Sequence, residues 1–326
     1  MNILWKRMVK AASRIASAFL KDIRFSFRYA LMRLVQELGG RLRLHNLSKK
    51  AQEARDRWIL AYLNNQLAVQ ISKYKTDSDK GEYVQNAPIW VCWWTGIDSA
   101  PELVKRCVES TYRNAGEHPV FLITKENYSE YIEIPSYMLR KVEAGKMGLA
   151  HLADYIRVKV LSEHGGLWLD ATIYCSQQIP KECFDSPFFT LKGPVRACGY
   201  ISGMRWVTFC LGGWKGNVFY RFLAECFEHY WRNNDCAIDY LFFDHLILTA
   251  YDHLPAVREL LDSVPDNNIH RDDLQAAMNA ARPASEMNSI LHLDTKLYKL
   301  SWRETYASVS ASGEQSIYSY FINKKG

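Results

Sequence analysis

Residues 149–163 carry apolar side chains at helical spacing, and the pattern stops abruptly at His164-Gly165-Gly166. Leu149, Leu152, Ala153, Ile156 and Val160 mark the buried side of this predicted helix. Three apolar residues follow, Leu167–Leu169, and then Asp170. A helix that turns this sharply into a strand needs glycine at the junction. A strand this short is stable only as part of a larger sheet. Helix, turn and buried strand therefore commit the chain to an α/β core with Asp170 at a strand's carboxyl end.

The segment upstream agrees. Ile89–Trp94 is a short apolar run ending at Thr95-Gly96, residues 101–112 read as helix, and Pro119–Thr124 reads as a second strand. Strand, helix, strand at this spacing predicts a parallel sheet. Ligands of such sheets bind in the loops beyond the strands' carboxyl ends. Trp93, Trp94 and Gly96 occupy that kind of position. Beyond Asp170 the pattern is mainly helical, at about 217–232, 237–252, 255–262 and 271–281, with a return to strand near 289–300.

Charge separates the amino-terminal region from the rest. Residues 1–50 hold twelve lysines and arginines against Asp22 and Glu37, so +10 of charge sits there and the remainder of this +6 chain is at −4. Residues 3–38 read as one long amphipathic helix that Gly39-Gly40 ends, with Trp5, Phe19, Phe25 and Phe27 among its apolar residues. A second helical stretch covers about 47–73, and Lys73–Gln85 reads as a linker. Lysines and arginines beside an apolar stripe predict a helix lying on an anionic membrane face. The competing expectation is that the stripe packs on the core or forms a helical hairpin with residues 47–73. No run of 18 or more apolar residues is present, and basic residues interrupt any apolar leader, so the expected location is cytoplasmic, peripheral on the inner face of the cell membrane. The eight cysteines lack metal-knuckle spacing and read as reduced, buried thiols.

Asp154 and Arg157 are three apart on the predicted helix, so they share a face. Taken alone they read as an ordinary pair worth about 0.2–0.5 kcal/mol. Asp170 alone could merely cap a turn. It is their joint placement, with a carboxylate aimed into the cleft of a sheet, that suits chemistry on a diphosphate held by a divalent cation.

The run His151-Leu-Ala-Asp154-Tyr-Ile-Arg157, followed by Gly165-Gly166-Leu-Trp168-Leu-Asp170-Ala-Thr172, resembles the signature of capsular polysaccharide synthesis proteins. These are grouped with family 32 glycosyltransferases, relatives of yeast-type mannosyltransferases and of glucosylating-toxin catalytic domains. The likeness extends to Trp93-Trp94-Thr-Gly96, to Thr124–Pro135, and weakly to Tyr230-Trp231 and Asp239–Asp244. It covers roughly residues 86–302.

The resemblance implies a GT-A-like nucleotide-sugar-binding core with a mainly parallel sheet, assigned to 86–326; the basic helical region over 1–75 rests on charge and periodicity and lies outside the resemblance. The resemblance also implies a retaining transfer of a sugar from a nucleotide-sugar donor to a glycan or lipid-linked glycan, assisted by Mn or Mg. Asp154 and Arg157 match residues that grip donor-sugar hydroxyls, and Trp168 matches an aromatic of the donor site. Asp170 matches the first carboxylate of a DxD motif, while Thr172 stands where wider relatives carry a second aspartate. Trp93 is similar to an aromatic that stacks on the nucleobase, with Trp94 competing for the role. His292, in Ile290-Leu-His292-Leu, is a candidate late metal ligand beside Asp170. Asp244 is either an acceptor-side carboxylate or a helix-surface charge.

Two other classes fit less well. An aspartate-nucleophile phosphatase needs an acid two residues after Asp170, where Thr172 stands. A non-catalytic membrane- or nucleic-acid-binding module would use the basic amino terminus but leaves the Asp-x-x-Arg and Gly-Gly clusters unexplained. No nucleic acid partner is expected.

Overall fold

The computed structural model describes residues 3–193, 201–281, 291–292 and 294–323. Four helices come first: α1 (Ile3–Asp22), α2 (Phe27–Arg41), α3 (His45–Gln66) and α4 (Ala68–Tyr74). Then come β1 (Ile89–Cys92), α5 (Glu102–Asn114), β2 (Val120–Ile123), α6 (Ser136–Glu143), α7 (Leu149–His164) and β3 (Gly166–Leu169). The middle of the chain adds β4 (Ile173–Cys175), α8 (Glu182–Asp185), β5 (Phe188–Thr190) and β6 (Cys210–Gly213). The remainder is α9 (Val218–Asn233), α10 (Phe242–His253), α11 (Pro255–Ser263), α12 (Asp273–Ala277), β7 (Leu297–Lys299) and α13 (Ile317–Asn323).

The central sheet has the order β2-β1-β3-β6-β5. β1 is parallel to both β2 and β3, while β6 is antiparallel to β3 and to β5. All strands but β6 therefore run the same way, giving a mixed, mainly parallel sheet. β3 is buried on both faces. Trp168 packs into one hydrophobic cluster, with α7 and α9, and Leu167 and Leu169 pack into another. That two-sided burial explains its unbroken apolar run.

The glycine junction is enforced by close approach. Gly165 and Gly166 both have positive φ, and a Cβ on Gly166 would lie 2.1 Å from the Pro88 carbonyl oxygen. Trp90 of β1 donates from Nε1 to the Gly165 carbonyl at 2.9 Å, which ties the turn to the neighbouring strand.

Several expectations need correction. Residues 3–38 are not one helix. α1 stops at Asp22, and Ser26 caps α2 by accepting from the Arg28 N–H. The break has a cause: Asp22 is fully buried and pairs with Arg33 of α2 at 3.1 Å. Gly39-Gly40 do not end α2 either. They lie inside it, and the missing Cβ of Gly39 lets Ser48 of α3 approach closely. Residues on either side of the boundary near 75 pack together. Tyr29, Ile59, Leu63, Leu67 and Tyr74 share a hydrophobic cluster with Trp90, Trp168 and α9. Tyr29 also donates through its hydroxyl to the Ile238 carbonyl at 2.6 Å.

Leu149, expected inside, is the first residue of α7 and is 46% exposed. α10 starts at Phe242 rather than near 237, since the Asp239 carboxylate accepts from the Leu241 N–H and holds a turn there. The strand expected near 289–300 is β7 at its carboxyl end, and residues 282–290 and 293 lie outside the described residues. Cys107, Cys175, Cys183, Cys210 and Cys226 are buried and unpaired. Among the described residues, no helix is long and apolar enough to cross a membrane.

Candidate active site

β1 and β3 end side by side, and α7 runs back over the sheet above them. A cleft of about 460 Å³ opens at that point. Of the residues singled out from sequence, Trp93, Asp154, Arg157, Trp168, Asp170, Thr172 and Asp244 all line it. Trp94 and His292 are not among the lining residues. Trp94 turns away to lie 5.5 Å from the Tyr128 ring, so of the two tryptophans it is Trp93 that faces the cleft. His292 instead stacks on His270 at 3.6 Å, with Nε2 3.1 Å from Asp273 Oδ2. A role for it beside Asp170 does not follow from this placement.

The centre of the cleft is one guanidinium. Arg157 donates from Nη1 to Asp154 Oδ1 and from Nη2 to Asp170 Oδ1, both at 2.9 Å. Its Cζ lies 4.9 Å from the centre of the Trp168 ring and 5.5 Å from that of Phe243. Two carboxylates, one from a helix and one from a strand end, thus hold a buried arginine against an aromatic floor. Lysine has no planar fork with which to bridge both.

Asp170 has a second cation. Lys299, the last residue of β7, places Nζ 3.0 Å from Asp170 Oδ2 and 2.7 Å from Thr172 Oγ1. The Trp168 indole N–H donates to Asp170 Oδ1 at 3.0 Å. Burial alone would push the Asp170 carboxyl up. Lys299 and Arg157 beside it, together with the Trp168 hydrogen bond, hold it at about 2.

The opposite carboxylate behaves in the contrary way. Asp244 is raised to about 6, chiefly by burial, with Asp154 adding to the rise and the Trp206 N–H bond at 3.0 Å opposing it. Two carboxylates in one cleft are therefore driven apart by their surroundings.

Trp93 and Trp302 meet edge to face at 5.8 Å on the cleft's wall, and the Trp93 indole nitrogen is buried without a hydrogen-bond partner. An orphaned buried donor is uncommon in folded proteins. Arg303 adds a cation to the same wall. The sequence reading missed Lys299, Trp302, Arg303, Trp206 and Phe243. The run Tyr298-Lys299-Leu300-Ser301-Trp302-Arg303 was the available signal: two cations and a tryptophan closely following an apolar strand.

A divalent cation beside Asp170 can be tested against this donor set. Such ions take several oxygen ligands, preferably anionic. Here there is one carboxylate, already bonded at both oxygens, and one neutral hydroxyl that accepts from Lys299. These residues do not fit a divalent cation without displacing Lys299.

The family described as capsular polysaccharide synthesis protein matches residues 41–321. Among curated proteins the chain is similar to the O-glycosyltransferase braB of Annulohypoxylon truncatum, at 24% identity over an alignment of 157 residues that covers 44% of this chain and 37% of that protein. The chain thus matches well under half the length of that relative. Among solved structures it is similar to the PaToxG glycosyltransferase at 14% identity, covering 66% of this chain and 88% of the other, with a TM-score of 0.36.

Proposed function

Because the chain belongs to the capsular polysaccharide synthesis protein family, we propose that it is a glycosyltransferase of GT-A type. In this reading it moves a sugar from a nucleotide-sugar donor to a glycan or lipid-linked glycan of a surface polysaccharide. The observation that carries the reading is Arg157 fixed between Asp154 and Asp170 over Trp168. A pyranose presents both hydroxyl donors and acceptors and an apolar C–H face. A carboxylate–guanidinium pair on an aromatic floor complements all three.

Each residue has a place in the reaction. Asp154 and Arg157 orient the donor sugar, and Trp168 and Phe243 support the guanidinium from below. Trp93 and Trp302 form an aromatic wall for a nucleobase. Lys299 and Arg303 present positive charge to the diphosphate as it departs. Asp244, on the far side, accepts the hydroxyl of the incoming glycan. Retention of anomeric configuration, implied by the resemblance, belongs to the proposal. The Mn or Mg ion expected from sequence enters no step, since its ligands are engaged.

The amino-terminal helices fit a peripheral place on the inner membrane face. Trp5, Val9, Leu20, Ile23, Phe27 and Leu31 are exposed, and Lys10, Arg14, Arg24 and Arg28 are exposed near them. An apolar face flanked by basic residues is the surface that binds anionic lipid.

A panel of nucleotide sugars tests the central reading by thermal shift, since a ligand that binds only the folded state raises its melting temperature. One nucleotide class should stabilise the protein, and slow release of free sugar should follow. Absence of any shift across uridine, guanosine, adenosine, cytidine and thymidine diphosphate sugars would sink it.

A further inference from the structure

We propose that Lys299 occupies the place of the divalent cation, so that the cleft binds a nucleoside diphosphate without metal. The inference rests on the nucleotide-sugar reading of the cleft and goes beyond it, because it assigns the diphosphate's counter-charge to a side chain.

The β4–β7 pair fixes Lys299 in place. Ile173 is in register with Lys299, the Leu300 N–H donates to the Thr172 carbonyl at 3.0 Å, and the Lys299 N–H donates to the Arg271 carbonyl at 2.8 Å. The side chain then crosses the turn after β3, with Nζ 4.9 Å from the Phe209 ring. Its contacts are the two positions of the Asp-x-Thr turn, Asp170 Oδ2 at 3.0 Å and Thr172 Oγ1 at 2.7 Å. A cation ligated by those atoms would lie about 2.0–2.6 Å from each oxygen. That point falls in the wedge the ammonium fills. The two exclude each other by volume and by charge.

Charge accounting points the same way. Asp154 and Asp170 are matched by Arg157 and Lys299, so the cluster is neutral as built. Arg303 on the wall is then available to an incoming dianion. An ammonium has three N–H donors, of which Asp170 and Thr172 take two. Lys299 is 27% exposed at its side chain and lines the cleft, leaving the third donor for a phosphate oxygen. A second carboxylate at position 172 would have drawn a metal. Threonine instead gives the lysine a neutral acceptor, so that Lys299 faces one carboxylate rather than two.

Calorimetric titration of the full chain with UDP, GDP, ADP, CDP and dTDP, each with EDTA or with Mn²⁺, tests this. The expected result is that one nucleotide binds with a dissociation constant that differs less than about threefold between EDTA and Mn²⁺. Lys299→Met should weaken that binding at least tenfold in EDTA, and Lys299→Arg should recover part of it. Mn²⁺ should partly rescue Lys299→Ala but not improve the wild type, because Asp170 Oδ2 is released only in the variant. Binding by the wild type that EDTA abolishes and Mn²⁺ restores would overturn the assignment while leaving the transferase reading standing. This comparison needs no variant to fold. If no nucleoside diphosphate binds under either condition, the nucleotide-sugar reading itself fails, and this inference with it.

Discussion

Replacing Asp170 with asparagine should destabilise the fold and silence the site together, and the size of the first effect follows from the cleft's electrostatics. The carboxyl titrates at about 2, against 3.8 for an ordinary aspartate. A difference of that size is worth about 2 kcal/mol, at 1.36 kcal/mol per pKa unit. Two bounds agree with it. Breaking a fully buried ion pair costs about 3–5 kcal/mol, and an exposed pair contributes about 0–1 kcal/mol. Asp170 is 28% exposed, which places it between them. Because its pKa is lowered by folding, the stabilisation is complete above about pH 4 and is lost as pH falls towards 2. Asparagine does not titrate there. Urea unfolding followed by tryptophan fluorescence should therefore show the variant about 2 kcal/mol weaker at pH 7, with the gap to wild type closing below pH 4. Donor turnover should fall at least a hundredfold, since Arg157 and Lys299 both lose their anchor. Equal stability at pH 7, or a gap that persists unchanged to pH 2.5, would refute the charge assignment. Near-normal turnover would refute the role of the cluster.

Arg157→Lys should weaken binding of the stabilising nucleotide sugar at least tenfold by calorimetry while the protein still folds, because a single ammonium cannot bridge Asp154 and Asp170. Asp244→Asn should act in the opposite sense to Asp170→Asn: a carboxyl at about 6 resists ionisation in the folded state, so the variant should be more stable than wild type by about 1–3 kcal/mol at pH 8. That advantage should shrink below pH 6 and vanish near pH 4, and transfer activity should be lower at every pH. Full-length protein should pellet with anionic vesicles at low salt and less so at high salt, and charge reversal at exposed Lys10, Arg14, Arg24 and Arg28 should abolish pelleting. Pelleting that is indifferent to those charges would rule out an electrostatic membrane surface.

The sheet was legible where local chemistry decides the structure. Gly165-Gly166 must turn because backbone of Pro88 and Lys215 comes within about 3 Å of where their Cβ atoms would be, and glycine announces such crowding in the sequence. β1, α5, β2, α7 and β3 follow from apolar period alone. The amino-terminal helices were less legible because their period is nearly continuous across residues 23–26. What breaks them is Asp22, a charged residue that is fully buried only because Arg33 folds back upon it. A single aspartate in a basic stretch gives no local sign of that.

The site divides along the same line. Asp154, Arg157, Trp168 and Asp170 lie within seventeen residues on adjoining elements, so spacing and strand direction bring them together. Lys299 is 129 residues from Asp170 and reaches it only through the antiparallel register of β4 with β7. No periodicity in either three-residue strand specifies that pairing. A metal was the natural expectation beside Asp170 because a departing diphosphate needs positive charge, and the resemblance makes Asp170 the first carboxylate of a DxD motif. Thr172 was the informative departure: a hydroxyl there is a poor metal ligand but a sufficient acceptor for an ammonium. Had the position held a second acid, Lys299 could not have balanced both carboxylates with Arg157 also shared by Asp154. The threonine and the lysine are thus two halves of one arrangement, and either is intelligible only once the other is beside it.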